Sequence, residues 1–319
     1  MKYKNILWIY NSLVFENLAN SYFLEMIDEL KKDFSVCDYH DFSFDYKKYK
    51  YIIFITRSMQ LVKDYENKCL DFFFEKLLKN SPNNKIILYI EDYLNTNNFN
   101  FNQIKYLINK YQKKIKIALS LYPIKYLEKI KILNIPFFIP DYKIELKIDK
   151  KLDFLLWGKR NLEHYPFRTK IYNHILSKNH IIKVKNLEHP GYDKVDKKHD
   201  FTGKKLHLLL SNFWFSLCTC ENKNYNSSFM PRKYLECMLN GSIPVGDYPK
   251  MLNIHTKFDF KMINIENFNF NKSNLEILLS LYLTKKDNLR YIIINNYNLA
   301  KEFTFDKQNE YFYRTILTL

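Results

Sequence analysis

The segment Pro231–Glu236 carries residue types that could bind an anion and a vicinal diol. A polar loop at Asn222–Ser228 leads into a predicted helix, and the free N–H groups and dipole of a helix N-terminus attract anions. Arg232 lies in the first turn and offers a planar fork for phosphate. Glu236 lies four residues on, where its carboxylate could accept two hydroxyls of a ribose. An Arg–Glu pair at this spacing is equally typical of a surface ion pair, so both interpretations stay open.

Two carboxylates follow a predicted strand of the first half. Glu91 and Asp92 come directly after the apolar segment Lys85–Ile90, and loops at the carboxyl ends of parallel strands are where such sheets bind ligands. Either residue is a candidate general base, with Asp92 preferred, and His40 is a further candidate. The alternative for the Glu91–Asp92 pair is a purely structural role as a cap or a solvated pair.

Strands alternate with helices through the first half, which is typical of a mostly parallel sheet covered on both faces. The hydrophobic pattern predicts strands at Asn5–Tyr10, Tyr51–Ile55, Lys85–Ile90, Ile115–Leu119 and Phe137–Ile139. It predicts helices at 19–33, 65–78, 101–111 and 124–131. The charged segment Ile139–Lys151 with Pro140 is the predicted linker.

The second half repeats the alternation and predicts a second βα domain. Predicted strands are Leu152–Trp157, Ile181–Val184, Trp214–Thr219, Ile243–Val245 and Phe260–Ile265. Predicted helices are 167–176, 204–210, 231–240 and the stretch from 273 to the end. Pro231 at the start of one helix and Gly241 just past its end follow the usual asymmetry. We therefore expect two domains, 1–145 and 146–319.

The composition of the 319 residues is 47% hydrophobic and 26% charged, which excludes disorder, collagen and a coiled coil. The net charge of +16 raises nucleic-acid binding as a hypothesis. However, lysine is spread through every segment, which is more typical of a solvated surface. The positive field still favours anionic ligands such as nucleotides, or membrane surfaces.

The glycines, cysteines and apolar runs restrict the possible functional class and location of the protein further. None of the five glycines lies in the first 150 residues, so close backbone approach to a ligand is expected in the second half. No G-x-G-x-x-G or Walker motif occurs. The five scattered cysteines suit a reducing compartment. No run approaches the ~18 apolar residues of a membrane helix, and no signal peptide is recognisable. The sequence thus predicts a cytoplasmic protein.

Five short motifs of the second half, in this order, resemble those of the GT-B glycosyltransferases. The most similar members are the group-1-like, CgeB-type enzymes found in bacteria and large DNA viruses. The motifs are Leu155-Leu156-Trp157-Gly158, Tyr165-Pro166-Phe167-Arg168, His189-Pro190-Gly191-Tyr192, Arg232-Lys233-Tyr234-Leu235-Glu236 and Asn240-Gly241-Ser242-Ile243-Pro244-Val245. The resemblance covers roughly residues 150–305, and the first half matches in architecture alone.

This resemblance implies an α/β protein of the GT-B fold, with two Rossmann-like domains that face a central cleft. Residues 1–145 would bind the acceptor and residues 146–319 the nucleotide-sugar. Glu236 would hold the ribose hydroxyls, Arg232 with the helix N-terminus the diphosphate, and Gly158 would let the first loop approach the donor. The implied donor-binding set also includes Arg168, Tyr192 and Lys233.

The implied activity is metal-independent transfer of a sugar from a UDP- or GDP-linked donor to a glycan, protein or small-molecule acceptor. No Asp-x-Asp occurs in the sequence, so helix dipole and cations would stabilise the leaving diphosphate. No cofactor or metal is expected. Ser228 stands where many retaining relatives carry a second Glu, so the stereochemistry stays open.

Three alternative functions remain open for this sequence. Lys233 with the strand Ile243–Pro244 is similar to the α1,3-fucosyltransferases, which would imply an inverting enzyme that uses GDP-fucose. A nucleic-acid-binding protein and a catalytically inactive nucleotide-sugar-binding protein are the others. The expected partners are a nucleotide-sugar and a glycan or protein acceptor, without nucleic acid. The basic surface also allows peripheral association with a membrane.

Overall fold

The chain divides into two compact units. The N-terminal unit is Met1–Pro136 with Gln308–Leu319, and the C-terminal unit is Phe137–Lys307. The computed structural model describes residues 2–10, 21–38, 41, 45–56, 74–79, 85–90, 99–121, 127, 129–158, 160, 162, 165–177, 180–187, 203–220, 232–249 and 260–319. Within these ranges, none of the helices combines the length and apolar character that a bilayer crossing requires.

The N-terminal unit contains a six-stranded sheet in the order β2-β1-β3-β4-β5-β6, with every pair parallel. Its strands are β1 (Tyr3–Tyr10), β2 (Phe34–Asp38), β3 (Tyr51–Ile55), β4 (Lys85–Ile90), β5 (Ile115–Ser120) and β6 (Lys131–Asn134), and its helices include α1 (Ser21–Asp33) and α2 (Phe99–Lys110). All five residues of β3 are buried, as expected for a central strand with both faces covered.

The last strand of this sheet differs from the sequence prediction. A strand was expected at Phe137–Ile139, but β6 at Lys131–Asn134 pairs with β5 instead. Ile139 donates to Phe303 O (2.9 Å) and accepts from Phe305 N (2.9 Å), both in the C-terminal unit. This pairing explains why the unit boundary lies at residue 136, nine residues before the division expected from composition. Strand β2 was not assigned from the sequence, because it follows α1 without a loop.

Helix α8 (Phe305–Leu317) completes the N-terminal unit at the far end of the chain. Phe312 lies with its ring centroid 5.0 Å from that of Trp8 and 5.9 Å from that of Tyr89. Gln308 Nε2 donates to a backbone carbonyl of α1 at 3.2 Å. The aromatic residues of β1 and β4 thus acquire their cover from the last helix.

The C-terminal unit contains a five-stranded sheet in the order β11-β10-β9-β7-β8, also parallel throughout. The strands are β7 (Leu152–Trp157), β8 (Val184–Leu187), β9 (Phe213–Leu217), β10 (Ile243–Gly246) and β11 (Ile263–Asn264), and the helices among the described residues of this unit are α3 (Pro166–Leu176), α4 (Gly203–Leu210), α5 (Arg232–Leu239), α6 (Leu275–Leu283) and α7 (Lys286–Lys301). The helix predicted from 273 to the end is therefore three helices. The carboxyl ends of β7, β9 and β10 share one edge, which is where parallel sheets bind ligands.

Candidate functional site

Two cationic side chains converge on the turn that follows β7. Gly158 has a φ of +99°, and a Cβ added there would lie 2.5 Å from Lys233 Nζ and 3.1 Å from Arg168 Nη1. Any larger residue would therefore displace Lys233 Nζ, crowd Arg168 Nη1 and strain the backbone. At Gly158 the backbone thus lies close to two cations of the chain itself, and its approach to a donor stays a prediction.

Lys233 lies in the first turn of α5 and is partly buried. Its Nζ donates to Trp157 O at 2.8 Å and lies 4.1 Å from the centroid of the Trp157 ring. Burial, and then the nearby charge of Arg168, hold the pKa of Lys233 well below its usual value, while Glu236 acts in the opposite direction. The ammonium group is therefore held at the end of β7 in a place that disfavours positive charge.

Arg168 is 6% exposed and is fixed from two sides. Its Nε donates to Thr219 Oγ1 at 2.9 Å and its Nη2 to Thr219 O at 3.4 Å. The guanidinium lies 4.2 Å from the centroid of the Tyr165 ring. Burial lowers the pKa of Arg168 from its usual value, although an arginine stays charged in proteins. The β9 end and α3 therefore hold this cation in a defined orientation beside Gly158.

Arg232 and Glu236 form the ion pair that their spacing allowed. Arg232 Nε lies 2.8 Å from Glu236 Oε1, and the side chains are 29% and 5% exposed. The carboxylate is thus buried on α5, which an ordinary surface pair would not require. Because Lys233 precedes this carboxylate by three residues on the same helix, a pair of cations and an acidic group lie within one short element.

Behind this helix lies a buried histidine. His207 of α4 is 2% exposed, and its Nδ1 lies 2.9 Å from Asn240 Nδ2, which also donates to Glu236 O at 2.6 Å. Since the amide nitrogen of Asn240 is a donor, Nδ1 of His207 is the acceptor and carries no proton. Burial lowers the pKa of His207 to about 4.

The stability of the protein should depend on pH through His207. Its folded pKa of about 4 lies below the unfolded value of about 6.5, so the unfolded chain binds the proton first. Stability is therefore lost as the pH falls from about 6.5 to 4, by at most about 3 kcal/mol. In urea unfolding, His207→Gln should remove this part of the pH dependence. If the free energy of unfolding changed equally with pH in wild type and variant over this range, His207 would not be the group responsible.

The loops after β9 and β10 are joined by a further buried network. The Tyr234 hydroxyl lies 2.9 Å from Cys218 O and 2.5 Å from Asp247 O. Asp247 accepts from the backbone N of Cys220 and from its thiol, both at 2.9 Å. Sequence reasoning missed Thr219 and Asp247. The available signal was their position, since each stands at or just beyond the carboxyl end of a predicted strand.

The residues predicted from the sequence thus fall into two groups. Gly158, Arg168 and Lys233 lie together, with Arg232 and Glu236 following on the same helix as Lys233. The others lie outside the described residues, so their roles stay predictions: His40, Glu91, Asp92 and Tyr192. In the part of the chain that the structure describes, no three His, Cys, Asp or Glu side chains cluster as metal ligands.

No family model matches this chain, and no curated protein sequence matches it. Several solved structures, however, match this chain. HepE of Anabaena in complex with UDP-glucose superposes with a TM-score of 0.55 at 10% identity, over 99% of this chain and 100% of that one. Sucrose-phosphate synthase of Thermosynechococcus elongatus gives 0.56 at 10% identity, over 98% and 99%. An alpha-glucosyltransferase in complex with UDP-glucose and DNA containing an abasic site gives 0.52 at 12% identity, over 99% of each chain.

The fold is GT-B. The α/β architecture of two Rossmann-like units expected from the sequence is confirmed. At these identities the likeness extends to the fold alone, so the CgeB-type relationship stays a prediction. In this GT-B fold, Gly158, Arg168 and Lys233 meet at the carboxyl edge of the second sheet.

Proposed function

We propose that this chain is a glycosyltransferase whose C-terminal unit binds a nucleotide-sugar donor. The observation that carries the proposal is the convergence of Arg168 and Lys233 on the Gly158 turn. Two like charges held in a partly dehydrated place destabilise one another. A diphosphate would offset that repulsion through charge-assisted hydrogen bonds to both.

Glu236 is the proposed acceptor for the ribose hydroxyls. Its Oε1 is engaged by Arg232 Nε at 2.8 Å, which leaves Oε2 for the donor. On this geometry Arg232 orients the carboxylate, and the diphosphate falls mainly to Arg168 and Lys233. The expectation that Arg232 contacts the diphosphate directly stays a prediction.

The proposed reaction is transfer of the sugar without a metal ion. An acceptor oxygen bonds to C1 of the sugar, the bond from C1 to the diphosphate oxygen breaks, and the acceptor proton passes to a base. The charge that develops on the leaving diphosphate is stabilised by two cations fixed in advance. Asp92, Glu91 and His40 remain the predicted bases, and a glycan, protein or small molecule the predicted acceptor.

The ligands of the similar structures support a nucleoside diphosphate. HepE is in complex with UDP-glucose in one structure and with UDP in another, and the alpha-glucosyltransferase holds UDP-glucose. These ligands favour UDP over GDP for the present chain. GDP-fucose, as an α1,3-fucosyltransferase-like enzyme would use, is the alternative donor. A cytoplasmic location and the absence of nucleic-acid partners stay predictions.

A binding experiment with Glu236→Gln tests the proposal. UDP, GDP, ADP and CMP are titrated into wild type in the presence of EDTA, with pyrophosphate as a probe that lacks ribose. We expect one nucleoside diphosphate to raise the thermal midpoint without a metal. Glu236→Gln should weaken its binding roughly 10- to 150-fold, since hydrogen bonds to a charged group are worth about 1.5–3 kcal/mol, and leave pyrophosphate binding unchanged.

Glu302→Gln, an exposed carboxylate of the same unit, is the control and should bind like wild type. The absence of any nucleotide binding would overturn the proposal. Binding that requires Mg²⁺ would overturn metal independence. Nucleotide binding without transfer from any UDP- or GDP-sugar would identify the inactive alternative, and binding to DNA or RNA in its place would identify the nucleic-acid alternative.

A further inference from the structure

Two neighbouring strands of the N-terminal sheet, β5 and β6, end in uncharged polar residues. Ser120 ends β5 and is fully buried, and Asn134 ends β6 as its partner in the ladder. Helix α2 connects β4 to β5, which pair in parallel, so α2 runs opposite to the strands. Its N-terminal end therefore lies at the same edge. Gln103 is the fifth residue of this helix and belongs to its buried face.

Two of these side chains bury polar atoms that have no partner. Gln103 is 3% exposed, and neither its Nε2 nor its Oε1 makes a hydrogen bond in the part of the chain that the structure describes. The same holds there for Oδ1 of Asn134. Gln308 and Asn309 each leave an oxygen unpaired as well, but their amide nitrogens donate. Gln103 therefore stands apart because both ends of its amide are unpaired.

An unpaired buried amide destabilises a protein, since it gives up its bonds to water without replacement. A leucine or methionine would fill the same position of a helix without that penalty. The contrast with Asn296 is direct, because its side chain accepts from Lys261 N at 3.1 Å and donates to Lys261 O at 2.7 Å. Gln103 is buried like Asn296 but lacks hydrogen bonds of this kind, which indicates that a ligand supplies them.

We infer that Gln103 and Asn134 form a binding site for a neutral, hydroxyl-bearing ligand, namely an uncharged sugar. An amide offers both a donor and an acceptor, as each sugar hydroxyl does. At the ends of β4, β5 and β6 and at the start of α2, the described residues are uncharged: Ile90, Ser120, Leu121, Asn134, Ile135 and Phe99–Gln103. These described residues give no counter-charge to an anionic ligand and suit a neutral one. Under the proposed function, on which this role rests, the sugar is the acceptor.

The test is Gln103→Met, which keeps the length of the side chain and removes both polar atoms. Saturation-transfer NMR measures binding of glucose, galactose, mannose, N-acetylglucosamine, lactose and maltose, with glucuronic acid and glucose 6-phosphate as charged comparators. We expect wild type to prefer a neutral sugar. The variant should bind that sugar roughly 10- to 100-fold more weakly, the effect of about two lost hydrogen bonds. Its thermal midpoint should rise by several degrees, whereas Asn296→Leu should lower it.

Asn134→Val provides a second variant at the same edge and should also weaken sugar binding. Wild type that binds none of the neutral sugars, or variants that bind them like wild type, would overturn the inference. Nucleotide binding by the C-terminal unit is measured in parallel. If the protein binds a nucleotide and the two variants bind sugar like wild type, the proposed function would stand and the sugar site would be overturned. If the variants lose sugar binding but the wild type binds no nucleotide, the sugar site would stand and the proposed function would be overturned.

Discussion

Gly158→Ala is expected to reduce affinity for the nucleoside diphosphate by roughly 10- to 150-fold. The new Cβ would lie 2.5 Å from Lys233 Nζ and 3.1 Å from Arg168 Nη1, so Lys233 Nζ must leave the place where the ligand meets it, whereas Arg168 gives way only slightly. One charge-assisted hydrogen bond is worth about 1.5–3 kcal/mol, which gives this range for the bond from Lys233. Isothermal titration calorimetry with UDP and GDP measures the loss.

Gly241→Ala is the matched control for this substitution. Gly241 also has a positive φ, of +68°, and a Cβ there would lie 2.6 Å from Leu146 Cδ1 and 2.9 Å from Lys150 Nζ. It stands just beyond the other end of α5, so strain and crowding are reproduced away from the cation pair. This variant should lose stability and keep its affinity. Equal losses of affinity in both variants would show that backbone strain, and not the displacement of Lys233, is responsible.

Lys233→Met is expected to raise the thermal midpoint of the free protein and to weaken nucleotide binding roughly 10- to 150-fold. The substitution removes a charge whose pKa is depressed by burial and by Arg168, so the free protein is relieved of repulsion. It also removes one partner of the diphosphate. Differential scanning fluorimetry and calorimetry with UDP, and with uridine as a probe that lacks phosphate, separate the two effects.

Lys150→Met is the corresponding control. Burial lowers the pKa of Lys150 to about 7, and its Nζ donates to Ser211 O at 3.1 Å and Asn240 O at 3.3 Å. It is thus a second partly buried lysine of the same unit, and its partners are backbone carbonyls. Its replacement should change stability and leave UDP affinity as it is. Unchanged UDP affinity in Lys233→Met, or weaker uridine binding, would argue against a phosphate role for Lys233.

Apolar runs made most of the fold predictable. Tyr51–Ile55 and Lys85–Ile90 were predicted as strands and have those bounds in the structure, because a buried parallel strand is apolar on both faces. Strand β6 was missed because Lys131–Asn134 is mostly half-buried and starts with lysine, so it reads like the end of a helix. The burial pattern of an edge strand is weaker than that of a central one.

The candidate site was only partly predictable, since its members come from three separate elements. The spacing of Arg232 and Glu236 within one helix could be read directly, and the structure pairs them. The meeting of Arg168 with Lys233 depends on how α3 and α5 pack beside Gly158, which no local pattern encodes. Thr219 was missed because a threonine at the end of a strand is unremarkable until its hydroxyl is seen to accept from Arg168.

The return of the chain to its first unit affects how the protein is made. Phe312 is the ring that packs on Trp8 and Tyr89, and it follows those residues by the whole C-terminal unit. During synthesis the first sheet must therefore wait for the whole C-terminal unit before this aromatic cluster can close. Until α8 leaves the ribosome, the indole and phenol rings of β1 and β4 lack this partner. The N-terminal unit begins before the C-terminal unit and is completed after it.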